Sequence, residues 1–178
     1  GVGEATIPTL RQTLQKVGLP EADYFARCNA SFKLGIKFVD WHYSPEPGRE
    51  DVFWNPFGSL PTAWTVPAMN FWLDRHPGRE PEHFTDLFTL HTHLAKAMLA
   101  PKAKDSKPFE GLVNYAYHMD THLFGAWLRE VATARGVTRV LDKVVTVEKD
   151  ERGWIERLCL EKNPPLTGDL FIDCSGNR

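Results

Sequence analysis

The chain has 178 residues, 42% of them hydrophobic and 25% charged, which is the size and composition of one ordinary globular domain. Its net charge of −2, from 21 basic and 23 acidic side chains, gives no basic surplus for nucleic acid, and no apolar run approaches the ~18 residues of a membrane span. Cys28, Cys159 and Cys174 are odd in number and far apart, so they read as free thiols in a reducing, cytoplasmic compartment.

Both ends, Gly1-Val2-Gly3-Glu4-Ala5-Thr6 and Asp173-Cys174-Ser175-Gly176, carry turn chemistry that normally joins elements, so a piece of a longer polypeptide is expected. Leu10, Leu14 and Val17 predict a first helix, with Thr6 as candidate cap, Pro8 in the first turn and Gly18 at the stop. Pro20 and Glu21 open a second helix carrying Tyr24, Phe25 and Cys28. Phe32 to Trp41 then alternates as one strand, with Phe32, Leu34, Ile36 and Phe38 on a buried face and Lys33, Gly35, Lys37, Val39 and Trp41 on the other.

Seven of the 13 prolines fall between Ser44 and Pro81, and four of the six tryptophans between Trp41 and Trp72. A segment so rich in aromatics reads as an ordered excursion, since disordered chains have few. One long helix is predicted from Phe84 to Met98, with His91 on its apolar stripe, followed by a solvated loop over Pro101 to Pro108. Asp120 caps the next helix, which shows Leu123, Phe124, Trp127, Leu128 and Val131 on one face and stops at Gly136. Strands are predicted over 137–141, 144–147, 155–160 and 169–172, with a turn at 150–153. This order of helices and strands argues for an α/β (α+β) fold.

Two histidine pairs invite a metal reading. His91 and His93 stand two apart and point to opposite sides of a helix. His118 and His122 straddle a helix start and lack the intervening Glu of a zincin. No metal is therefore assigned, and His91 reads as a packed core histidine. The opening Gly-Val-Gly-Glu-Ala-Thr precedes a helix, a position that suits an anionic ligand or a plain turn. Lys37 is either a solvated strand lysine or an amine aimed into an enclosed second face, where it could serve a reactive oxygen species or act as a nucleophile.

Several motifs then occur in one order: Gly1 to Pro8, Ile36-Lys37-Phe38-Val39-Asp40-Trp41, Phe57-Gly58, Val66-Pro67 to Trp72, Tyr117-His118-Met119-Asp120, and Asp169 to Gly176. In this order the chain resembles the flavin-dependent tryptophan halogenases. That resemblance implies part of a flavoprotein-monooxygenase-like FAD-binding fold with a helical substrate module. On this reading residues 1–43 hold the strap, helices and lysine strand, residues 44–116 the aromatic substrate module, and residues 117–178 the return to the FAD module.

It further implies reduced FAD from a separate flavin reductase, dioxygen, chloride or bromide, a small aromatic substrate and a homodimer. Lys37 takes the place of the catalytic lysine, which directs hypohalous acid or a haloamine onto the ring. Gly3, Glu4, Ala5 and Thr6 correspond to the strap between flavin and substrate, while Val144 and Asp173 correspond to FAD contacts. Phe57 corresponds to an aromatic clamp. Asn55 stands where tryptophan halogenases commonly carry His, giving a smaller wall. The Gly-rich FAD loop, halide loop, catalytic Glu and Trp-rich motif of the family have no counterpart in the 178 residues, so this piece alone is expected to be inactive. The alternatives are an aromatic monooxygenase of the same flavin fold and a non-catalytic module that captures an aromatic ligand.

Overall fold

The computed structural model describes residues 4–48, 51–58, 70, 72–75, 77–78 and 84–176. Gly3, the Val66-Pro67 motif and most of the aromatic excursion lie outside them, and Glu4 is described through its backbone alone. The chain forms two compact units, Gly1–Val131 and Ala132–Arg178. Within the first unit, the strand at 116–119 pairs with strands from the first 33 residues of the chain.

That strand organises the first unit. β1 (Glu4–Ala5) and β2 (Ser31–Lys33) flank β5 (Ala116–Met119), both antiparallel to it, with Ala5 and Ser31 each opposite His118. Thr6 extends the pairing: its hydroxyl donates to Tyr117 O and accepts from Tyr117 N, each at 3.0 Å. It is thus not the helix cap expected of it. Helix α1 (Thr9–Lys16) begins after Pro8 without any side-chain cap. Gly18, at φ +69°, turns the chain so that Leu19 N reaches Leu14 O at 2.9 Å.

Helix α2 (Glu21–Cys28) ends on Asn29 in the left-handed region and buries Tyr24 and Cys28. Tyr24 lies at the centre of the core, 4.8 Å from the Tyr117 ring and edge-on to Phe124 at 5.4 Å. Leu14, Leu19, Leu34, Tyr115, Met119 and Trp127 close around it.

The long strand expected over 32–41 is two strands in two sheets. β2 stops at Lys33, and β3 (Gly35–Val39) pairs instead with β4 (Val52–Pro56) in a separate hairpin, with Gly35 opposite Pro56 and Lys37 opposite Trp54. The change of sheet resets the facing, so the consecutive residues Lys33 and Leu34 are both buried while Ile36 is exposed.

The helix expected over 84–98 is also divided, into α3 (Phe84–Phe88) and α4 (Leu90–Lys96). Thr89 between them is extended at φ −136°, ψ 140°, a conformation that suits a β-branched residue. Asp120 does cap helix α5 (Thr121–Ala134), its Oδ1 accepting from His122 N at 2.8 Å and Leu123 N at 3.1 Å.

In the second unit, β6 (Val144–Lys149), β7 (Ile155–Leu160) and β8 (Leu166–Thr167) form an antiparallel sheet in that order. The strands expected over 137–141 and 169–172 are absent from the ladders. Asp142 is one reason: its Oδ2 accepts from Lys162 N, Asn163 N and Asn163 Nδ2, a side-chain knot that competes with pairing. Every described ladder is antiparallel, so the α+β side of the expected class is what forms.

Candidate active site

Lys33 closes β2 and is 8% exposed. A lysine is seldom buried without partners. This one donates from Nζ to Thr6 O at 3.2 Å, crossing the sheet to the N-terminal strand. The same Nζ lies 5.4 Å from the centre of the Phe57 ring, within cation–π range. Lys33 also lines an open cavity of about 420 Å³ with Ser31, Gly35, Trp54, Met98 and His118. His118 stands on the rim of that cavity. Partial burial, then the neighbouring Lys33, holds its imidazole below the usual histidine range.

Phe57 follows β4 and is half-buried. Its N–H donates to Leu34 O at 2.9 Å, and its carbonyl accepts from Asn114 Nδ2 at 3.4 Å. The residue after Lys33 therefore fixes the ring that Lys33 faces. Asn55, two residues before Phe57, is exposed on β4.

Lys37 does not occupy the enclosed setting expected of it. It is exposed on β3 and is not among the residues lining the described cavities. The expectation assumed one unbroken strand, in which Lys33 and Lys37 share a face. With the break at Leu34 the two amines separate, and the enclosed one is Lys33. The available signal was Gly35, since glycine inside a strand pattern often marks a bend or close backbone approach. A side chain there would place its Cβ 2.6 Å from Asn55 O.

The strap residues are partly described. Ala5 and Thr6 line a second open cavity of about 360 Å³ with Ile7, Leu10, Met119 and Phe124. Thr6 commits its hydroxyl to Tyr117 and its carbonyl to Lys33, so it is a structural joint between strap and lysine.

In the second unit, Val144 and Asp173 line a single cleft of about 660 Å³ with Val147, Ile155, Leu158 and Phe171. Its walls are mainly apolar, and Asp142, Lys143 and Asp173 bring charged side chains to its lining. Ser175, through its N–H at 2.8 Å and its side chain, holds the Asp173 carboxylate below the usual range. A largely apolar wall with two ionised carboxylates, Asp142 and Asp173, at its edge fits a cofactor that carries both a flat ring and hydroxyl groups.

His91 and His93 are divided by their partners. His91 Nε2 donates to Asn114 O at 2.9 Å, and the His93 ring meets Asp86 O at 2.6 Å. Among the described residues no group of three or more His, Cys, Asp or Glu side chains could hold a metal ion.

A family model described as tryptophan halogenase matches residues 1–178. The chain belongs to the tryptophan halogenase family. It is similar to tryptophan 6-halogenase ThaL of Streptomyces albogriseolus, 38% identical over an alignment covering 100% of this chain and 35% of ThaL. A crystal structure of tryptophan halogenase from Shewanella frigidimarina NCIMB 400 superposes with a TM-score of 0.87 at 33% identity, over 99% of this chain and 33% of that one. The flavin-dependent halogenase Xcc4156 from Xanthomonas campestris superposes at 0.80 and 32% identity, over 99% of this chain and 34% of its own. The chain thus spans about a third of the length of these halogenases. What this halogenase segment holds is a buried lysine, its aromatic neighbour and a second, mainly apolar cleft.

Proposed function

We propose that this chain is the lysine-bearing segment of an FADH2-dependent halogenase that places chlorine or bromine on an aromatic, indole-type substrate. One observation carries the reading: the buried amine of Lys33 faces both a cavity and the ring of Phe57. Membership of the tryptophan halogenase family supports reading that amine as one that serves halogenation.

Reduced FAD, when bound, supplies the electrons that turn dioxygen and halide into hypohalous acid. Val144 and Asp173 are the residues of this chain suited to hold it, one through an apolar wall and the other through its carboxylate. Lys33 donates a hydrogen bond to the hypohalous oxygen and polarises the oxygen–halogen bond toward the ring, which is stabilisation of developing charge by a fixed donor. Its tether to Thr6 O keeps the amine aimed without reorganisation. Phe57 offers a stacking face that holds the aromatic substrate beside that amine. Asn55, a small residue on the adjoining strand, leaves more room than an imidazole would.

The test is made in the complete enzyme. Lys33→Met keeps the aliphatic stem and removes the amine. It should cut halogenation by about 100- to 1,000-fold, the size of losing a key electrostatic donor, while reduced flavin is still reoxidised by dioxygen. Lys37→Met should leave turnover within about twofold, as the loss of an exposed charge that lines no described cavity does. The reverse result would return the role to Lys37. Hydroxylated product surviving in Lys33→Met would support the aromatic-monooxygenase alternative.

A further inference from the structure

His91 has no part in the chemistry above, yet it is built into the wall behind Phe57. It lies on α4 and is 5% exposed. The carbonyl of Asn114 accepts from its Nε2 at 2.9 Å, which places the proton on that nitrogen and leaves Nδ1 with a lone pair. Nδ1 is buried and has no hydrogen-bond partner among the described residues. As filler this is a poor choice, because an unpartnered buried acceptor costs stability that a Phe or Leu in the same space would not.

The surroundings give the imidazole a second purpose. A Cβ added to Gly58 would meet His91 Cε1 at 3.0 Å and Nδ1 at 3.1 Å, so the ring fills the space directly behind the residue that follows Phe57. The residue whose backbone His91 holds, Asn114, donates its side-chain amide to Phe57 O at 3.4 Å. Arg11 of α1 bonds the Oδ1 of that same amide. On its other side Phe57 is tied through N–H to Leu34, next to Lys33. His91 therefore touches the Phe57–Gly58 step twice, once through Asn114 and once by contact.

We propose that His91 is a positioning residue that sets the distance and tilt of the Phe57 ring relative to Lys33, and so helps decide which ring carbon of the aromatic substrate is halogenated. The proposal rests on the reading of Phe57 as a substrate wall. Its neutral, compact ring is what the place demands: a donor on one edge and a flat face against glycine.

The experiment uses the complete enzyme with L-tryptophan as probe, measuring KM, kcat, the ratio of halogenated regioisomers, the rate of flavin reoxidation and the melting temperature. His91→Phe keeps a flat aromatic ring, somewhat larger, and removes the N–H to Asn114. KM should rise about three- to tenfold, the equivalent of one lost hydrogen bond, and minor regioisomers should appear, with flavin reoxidation unchanged. His91→Gln restores a donor and should recover most of the isomer ratio. If His91→Phe does not fold, Gly58→Ala probes the contact from the other side and should shift the same ratio. Phe57→Leu is the control. Should it alter KM and isomers while His91→Phe and Gly58→Ala match the wild type, the positioning role falls and the wall stands. Should Phe57→Leu itself change neither, the wall reading fails and takes this inference with it.

Discussion

Glu21 keeps a charge in the interior because four donors converge on its two oxygens. Tyr115 and Tyr117 donate to Oε1 at 2.5 and 2.8 Å, and Lys102 Nζ and Phe109 N donate to Oε2, both at 2.7 Å. Burial alone would raise its pKa, but the hydrogen bonds, led by Lys102, outweigh that and lower it. Both phenols, buried and facing the carboxylate, are pushed up. A lowered folded value means that the unfolded chain binds the proton more readily. The resulting stability is present above the ordinary glutamate value near 4.5 and is lost as pH falls through the folded value. Glu21→Gln should cost about 2–4 kcal/mol at pH 7, since hydrogen bonds to a charged group contribute about 1.5–3 each and Gln keeps some of them. It should also flatten the fall of melting temperature below about pH 4.5 relative to wild type. Parallel acid profiles for the two proteins would rule out this source of acid sensitivity. Sequence alone shows Glu21 only as an acid at a helix start, because its partners are 81 to 96 residues away.

At the scale of elements, what could be read was what is local. Helices α1 and α2 and the Asp120 cap follow from spacing and end chemistry, all settled within a few residues. The sheet of β1, β5 and β2 joins segments about 85 and about 115 residues apart, and no local pattern announces Ala116–Met119 as its centre. The same limit hid the exposed setting of Lys37. Alternation over 32–41 is genuine, but it does not record that the chain leaves one sheet at Leu34 and enters another at Gly35. That transfer depends on Gly35 lying flat against the end of β4, where a Cβ would sit 2.6 Å from Asn55 O and 2.7 Å from Pro56 Cα. Both obstacles are backbone, so neither can swing aside. Gly35→Ala should therefore open the Gly35–Pro56 end of the hairpin and cost about 1–3 kcal/mol, the range for forced overpacking. It should also loosen Phe57, one residue beyond the hairpin. Urea unfolding reads the first effect and the regioisomer ratio of the complete enzyme the second. A wild-type midpoint would mean that the two strands slide apart freely and that the close approach is not needed.

Across the whole chain, burial is distributed very unevenly between the two units. Every fully buried hydrophobic residue of the core lies at or before Trp127, and no described residue from 132 to 176 is buried. In the second unit Leu141, Leu170 and Ile172 are each 78% exposed and Trp154 71%. Three antiparallel strands need a covered hydrophobic face to be stable in water, and this unit only half-buries its own, at Leu158, Cys159 and Leu160. The relatives are about three times as long as this chain. The prediction concerns the 178 residues expressed alone and followed by amide hydrogen exchange. Amides of β5 and α2, backed by Tyr24, Tyr115 and Tyr117, should exchange only through global unfolding. Those of β6 to β8 should exchange by local opening, at least about a hundredfold faster, as expected where few apolar contacts must break. The cleft lined by Val144 and Asp173 would then be only transiently formed, and FAD should fail to remain bound through gel filtration. Protection of β6 to β8 equal to that of β5, or FAD retained by the isolated chain, would show that the second unit draws its stability from strand pairing alone and needs no partner surface.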